Sequence, residues 1–229
     1  MVRHVGRHPA ALGLLIATGC SCLFIALTVG VLIEGPLVRF DQWAADALHA
    51  SASEAPGLTH FFRVVSVTGS LAALALVSVL VSVALILHRH WSALAAWLVA
   101  VLGGEGLNLL LKDLFARPRP QFEHPLVVET SHSFPSGQAM ESLVAYGMLA
   151  YLLAVLILRG RAKRAVAAGG ASVLVILIGF SRLYLGAHYP SDVVGGFAAG
   201  GAWLSAVITG WEAIRRRDLA SWRDHTTRP

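Results

Sequence analysis

Six apolar stretches, each long enough to cross a bilayer, leave this chain few ways to fold. A spanning helix needs roughly 20 mostly apolar residues, and such stretches fall at about 11–33, 64–87, 91–111, 139–158, 165–184 and 193–211. In hydrocarbon every backbone N–H and C=O must find its partner inside the protein, which favours helices. Of 229 residues, 56% are hydrophobic and 14% charged, with a mean hydropathy of +0.67. That is too little polar surface to cover a water-soluble globule. The expectation is an all-α integral membrane bundle of six transmembrane helices. A short interfacial helix is expected between the first and second, where Phe40, Trp43, Ala44, Ala47 and Leu48 recur at helical spacing among Asp41, Gln42 and Asp46. An ordinary loop helix packed on the bundle is the alternative there.

The first apolar run follows Arg3 and Arg7 as a signal peptide would, but it is too long for a cleaved segment and reads as a retained helix. Cys20 and Cys22 lie inside it, one residue apart and without metal-ligand neighbours, and read as lipid- or core-facing bulk. No linker or repeat divides the chain. It reads as a single membrane domain over 1–229, with a short cytoplasmic tail from about 212 onward. Gly196 and Gly200 form a small-xxx-small pair expected to serve intramolecular helix packing.

The formal charge of +5 is distributed as a membrane protein requires rather than as a nucleic-acid binder does. Arg3 and Arg7, Arg89, then Arg159, Arg161, Lys163 and Arg164, and finally Arg215, Arg216 and Arg217 flank alternate ends of the spans. An excess of Lys and Arg marks the cytoplasmic side, so both termini are expected inside. The opposite side receives the 34–63 segment, with Glu34, Asp41, Asp46 and Glu54 against Arg39 and Arg63. It also receives three stretches with phosphate-handling chemistry.

The first stretch runs from Lys112 to Pro120 and adds Arg117 and Arg119, each followed by a stiffening proline. Lysine offers phosphate a point charge and arginine a bidentate fork, although interfacial anchoring of lipid head groups would use the same residues. In the second, Pro135-Ser136-Gly137-Gln138, Ser136 and the free amides of a helix start face the outer side. Plain N-capping by Ser136 is the alternative. The third, Ser181 to Asp192, spaces Arg182, His188 and Asp192 so that they can meet at one anion. A histidine held through one ring nitrogen by a carboxylate presents the other as a nucleophile or base.

These stretches resemble the type-2 phosphatidic acid phosphatases, or lipid phosphate phosphatases, whose signature is Lys-x6-Arg-Pro, Pro-Ser-Gly-His and Ser-Arg-x5-His-x3-Asp. The first and third parts are matched without gaps, and the likeness covers about residues 40–211. The resemblance implies that Lys112, Arg119 and Arg182, with Ser136 and the Gly137 amide, hold the phosphate. It implies that His188 attacks phosphorus to give a phosphohistidine, that Asp192 orients His188, and that no metal or other cofactor takes part. The implied partner is a lipid phosphate or diphosphate in the bilayer. A polyprenyl diphosphate such as undecaprenyl diphosphate comes first, and phosphatidylglycerol phosphate or phosphatidic acid next. The implied location is the cell (inner) membrane, with the site at the outer, periplasmic or extracellular, face. Two rival readings are a non-catalytic lipid-phosphate binding or transport protein and a phosphatase of soluble esters.

The chain departs from the family at Gln138, where the histidine that protonates the leaving oxygen is expected. A glutamine amide donates a hydrogen bond but transfers no proton near neutral pH, and loss of a general acid typically costs about 10²- to 10⁴-fold. Gln138 therefore predicts an impaired or inactive enzyme, with diphosphates less affected than monoesters. An engineered change and a natural divergence both account for it. His124 and His132 in the same outer segment are candidate substitute acids, and Arg117 is a candidate substrate contact. Glu105 and Glu141 lie inside spans, where carboxylates are costly. They are candidates to pair with Lys112 or Arg182 and tune the pocket, or to form a purely structural ion pair.

Overall fold

A computed structural model of the chain describes residues 8–226, with side chains over residues 10–216. Arg3, Arg7 and Arg217 of the basic flanks lie outside those limits. The described residues form eight helices and no strand: α1 (His8–Leu32), α2 (Pro36–Glu54), α3 (Pro56–Thr68), α4 (Leu71–Leu87), α5 (Trp91–Phe115), α6 (Gly137–Leu156), α7 (Arg161–Tyr184) and α8 (Pro190–Thr226). Five of them, α1, α5, α6, α7 and α8, are singly long and apolar enough to cross a membrane. The expected second span is instead a pair, α3 and α4, bent by 42° at Gly69.

That bend has a local cause. Ser70 accepts the Ala73 N–H at 3.3 Å and starts α4 as a new helix. The carbonyl of Thr68 is taken up by the Tyr146 hydroxyl at 2.7 Å. A Cβ on Gly69 would lie 2.5 Å from Ile178 and 3.3 Å from the Gln138 amide oxygen, so the break lets the chain pass against α6 and α7.

The helix expected over 40–48 is longer than its apolar stripe suggests, and its stripe turns differently. Phe40 and Trp43 are exposed, while Asp41, Ala44, Ala45 and Ala52 face inward. Over the segment expected as a tail from about 212, α8 continues to Thr226. Cys20 packs beside Gly201 and Cys22 is exposed.

The centre of the bundle is α6, which packs on α5, α7 and α8, while α1 lies along α8. Trp97, Ala100, Val144, Ala145, Met148 and Leu152 are buried in its core. Glycines set the closest approach. A Cβ on Gly196 would stand 2.5 Å from the Ser136 carbonyl oxygen, and one on Gly200 2.9 Å from that of Met140. This intramolecular contact seats the first turn of α8 against the start of α6, where two of the three phosphate-type stretches lie.

Candidate active site

Helix ends deliver the charged groups to one place. Lys112 sits in the last turn of α5 and Arg182 in the last turn of α7, Ser136 immediately precedes α6, and Asp192 lies in the first turn of α8. Basic residues at helix C-termini and amides at an N-terminus both suit the helix dipole. The turn after α7 is closed by the Ala187 and His188 amides donating to the Arg182 carbonyl at 3.0 and 3.3 Å. Gly186 permits it with φ +70°, and a Cβ there would also strike the Phe122 ring at 2.8 Å. His188 is thereby returned over the end of its own helix.

His188 is buried, and Arg119 Nη1 lies 3.0 Å from its Nε2. A guanidinium only donates, so Nε2 carries the lone pair and the ring proton belongs on Nδ1. Nδ1 lies 3.5 Å from Asp192 Oδ2 and 3.4 Å from Ser133 Oγ. Burial, with the added charge of Arg119, pushes the imidazole down to about 4 against the pull of Asp192. The ring is neutral at physiological pH and turns its free nitrogen toward the cations.

Those cations are held by one segment of the loop between α5 and α6. Lys112 Nζ donates to Ser131 Oγ at 3.1 Å and to the His132 carbonyl at 2.7 Å. Arg119 donates through Nε to the Ser131 carbonyl at 2.7 Å, and through Nη1 to that of Ala187 at 2.7 Å. Arg182 donates to Ser66 Oγ at 2.7 Å and pairs with Glu129. The Ser136 hydroxyl is buried without a partner and makes no cap bond to α6, so simple capping does not account for it. Arg182 Nε is likewise buried and unpartnered. A Cβ on Gly137 would meet Asn108 Nδ2 at 2.8 Å and Glu141 Oε1 at 3.0 Å, so a side chain there would have to displace both groups.

Several residues stand apart from their expected roles. Arg117 is no free phosphate ligand. It is buried, donates to Asp192 Oδ1 at 2.5 Å and to Asp41 Oδ2 at 2.9 Å, and lies 4.4 Å over the Tyr189 ring. The two carboxylates outweigh burial and raise its proton affinity further. Glu141 accepts from Asn108 Nδ2 at 2.8 Å, and with Glu105 lines an otherwise apolar groove beside Leu71, Leu74, Val101 and Val144. The carboxylate on Arg182 is Glu129, and Lys112 is taken by the loop, so the pairing considered for Glu105 and Glu141 does not form. His124 and the His132 ring are exposed, the latter nearest Asp113. Gln138 Oε1 accepts from Ser66 Oγ at 3.3 Å.

Three contributors carry no mark in the sequence. Asp41 on α2 is fully buried and accepts the Ser191 amide at 3.0 Å, the Ser191 hydroxyl, and Arg117. Ser133 donates to Asp192 Oδ2 at 2.5 Å. Glu129 is the third.

This arrangement, a neutral imidazole backed by a carboxylate and facing three cations, accompanies a match of residues 93–216 to the sequence profile of the PAP2 superfamily. The chain belongs to the PAP2 superfamily. Phosphatidylglycerophosphatase B of Bacillus subtilis (strain 168) is 43% identical over 96 residues, 41% of this chain and 46% of that protein. Decaprenylphosphoryl-5-phosphoribose phosphatase of Mycobacterium tuberculosis is 35% identical over 135 residues, 53% of this chain and 66% of that one. The chain thus spans about half the length of the first relative and about two thirds of the second. The crystal structure of a transmembrane PAP2 type phosphatidylglycerolphosphate phosphatase from Bacillus subtilis superposes with a TM-score of 0.79 at 28% identity, covering 87% of this chain and 97% of that one. The PAP2 fold is therefore shared over 87% of the chain.

Proposed function

We propose that this PAP2 protein is a membrane lipid phosphatase that hydrolyses a phosphate or diphosphate from a lipid through a phosphohistidine on His188. The observation that carries the reading is the unprotonated Nε2 of His188, held 3.0 Å from Arg119 at the edge of the cation cluster. Lys112, Arg119 and Arg182, the free Ser136 hydroxyl and the Gly137 amide hold the phosphate and offset the charge that builds on its oxygens. As Nε2 bonds to phosphorus and the ester oxygen departs, positive charge develops on the imidazole. Asp192 stabilises that charge through Nδ1. Water then displaces the histidine and releases phosphate.

The substrate class follows from setting and likeness. Relatives act on phosphatidylglycerophosphate and on a decaprenylphosphoryl sugar phosphate by their names, and the apolar groove next to Gly137 suits an acyl or prenyl chain. Phosphatidylglycerol phosphate and a polyprenyl diphosphate are the leading candidates, with phosphatidic acid after them. Arg89, Arg159, Arg161, Lys163 and Arg164 flank helix ends opposite to those that build the site, which supports a cytoplasmic location for them and an outward-facing site. Gln138 supplies no proton, so turnover is impaired to the extent that no other group supplies one. The same residue supports a second reading, a lipid-phosphate binder that keeps the cradle without turnover.

The test is phosphate release from these three lipids by the purified protein, beside His188→Ala. Turnover that vanishes with His188→Ala, together with an acid-labile phosphoprotein in a brief quench, supports the phosphatase. Binding of the lipids with no release by either protein supports the binder.

A further inference from the structure

The departing oxygen needs a proton, and Gln138 has none to give. A carboxyl group on the same cation cluster, that of Glu129, is able to carry one. Glu129 pairs with Arg182 at Nη2, while Ser66 takes Nη1 of the same guanidinium and passes a hydrogen bond to Gln138 at 3.3 Å. Glu129 therefore binds Arg182 directly and Gln138 reaches it only through Ser66, whereas the nucleophile His188 sits on another arginine, Arg119. Arg182 Nε is buried and unpartnered beside the nitrogen that Glu129 occupies. A phosphate gripping the Nε–Nη2 edge in the bidentate manner of arginine must take the seat of Glu129 and leave that carboxyl against its own oxygens. The Glu129 side chain is 31% exposed, so solvent reaches it.

We propose that Glu129 is the proton donor and acceptor of the reaction, in the place left empty by Gln138; this rests on the phosphohistidine reading. Substrate phosphate displaces Glu129 from Arg182. Beside an anion and without its cation, the carboxylate takes a proton from water. His188 Nε2 bonds to phosphorus, the P–O bond to the lipid breaks, and Glu129 delivers its proton to the departing oxygen, leaving a lipid alcohol. As a carboxylate, Glu129 then removes a proton from a water molecule whose oxygen bonds to phosphorus. The P–N bond breaks, His188 recovers its electron pair, and Glu129 is again protonated. The net change consumes one water and releases one phosphate. When phosphate leaves, Glu129 gives up this proton and returns to Arg182.

The experiment is a rescue series on a lipid monophosphate in detergent micelles, with kcat and KM measured for the unaltered protein, Glu129→Gln, Gln138→His and the double variant. Glu129→Gln is expected to lower kcat by about 10²-fold or more with KM little changed, since that is the usual contribution of a general acid. Gln138→His in the Glu129→Gln background is expected to restore most of the loss. If Glu129 merely fills the cradle as a stand-in for phosphate, Glu129→Gln lowers KM and leaves kcat intact, which overturns the proposal. A kcat loss that Gln138→His does not rescue also overturns it. Detergent melting of each variant separates loss of fold from loss of chemistry, and Glu129→Asp, which keeps the acid, should retain more kcat than Glu129→Gln. Activity that survives His188→Ala would instead sink the phosphohistidine reading, whatever Glu129 does.

Discussion

Asp41→Asn offers a test of how the site sets the charge behind His188, the proposed nucleophile. Asp41, Arg117 and Asp192 form a row of contacts, 2.9 Å and then 2.5 Å long, that ends 3.5 Å from His188. The row carries one positive and two negative charges, so the imidazole has a single negative charge behind it. Asparagine keeps the size and an oxygen for the Ser191 amide but makes the row neutral. Followed along the contacts and across the guanidinium and carboxylate between them, Asp41 stands about 13 Å from the ring, and at an effective dielectric of about 20 a unit charge there is worth about 1.3 kcal/mol. In the proposed attack a neutral imidazole becomes cationic, so the barrier rises by that amount and kcat falls roughly 9-fold. KM should hold, because Lys112, Arg119 and Arg182 are untouched. The assay is steady-state phosphate release from micellar lipid phosphate, with detergent melting alongside, because disturbing a buried ion pair also costs stability. A variant that melts normally and shows unchanged kcat, or that loses affinity with kcat intact, would refute the reasoning.

Other consequences are simpler to measure. Because His188 is held down to about 4 from an ordinary 6.5, its nitrogen stays free of protons well into acid, and the acid limb of kcat/KM assigned to it should fall near pH 4 rather than 6.5. The same shift means the unfolded chain binds this proton before the folded one does, so stability from this group is full above pH 6.5 and lost as pH falls toward 4. Gly196→Ala should lower the melting temperature and kcat together, because its Cβ would press on the Ser136 carbonyl at 2.5 Å, at a cost of about 1–3 kcal/mol. Gly170→Ala on α7 meets nothing within 4 Å and should be neutral or slightly stabilising by the same melting assay.

The cradle was legible in the sequence wherever its residues sit at helix ends. Lys112, Ser136, Arg182 and Asp192 each lie within a turn of a boundary that hydropathy locates, so their convergence followed from spacing. The bent α3–α4 pair was not legible, because Leu71 to Leu87 and the residues before it read as one apolar run and the break depends on Tyr146 and Ile178 from other helices. Asp41 and Arg117 escaped for a related reason. Their contact spans 76 positions and that of Asp41 with Ser191 spans 150, and neither distance leaves any periodic trace. Arg117 also sits between Lys112 and Arg119, where a third cation looks like another phosphate ligand until its two carboxylates are found.

The profile match begins at residue 93, yet Asp41 belongs to a helix that ends at Glu54. Control of the charge around His188 is therefore split between two parts of the chain that share no motif. A chimera that grafts residues 93–216 onto a foreign first half would inherit the whole matched region and still carry an unbalanced arginine behind His188. Exchange of Pro36–Glu54 alone, in an otherwise intact protein, would retune the reactivity of His188 from a helix that contributes no signature residue of its own.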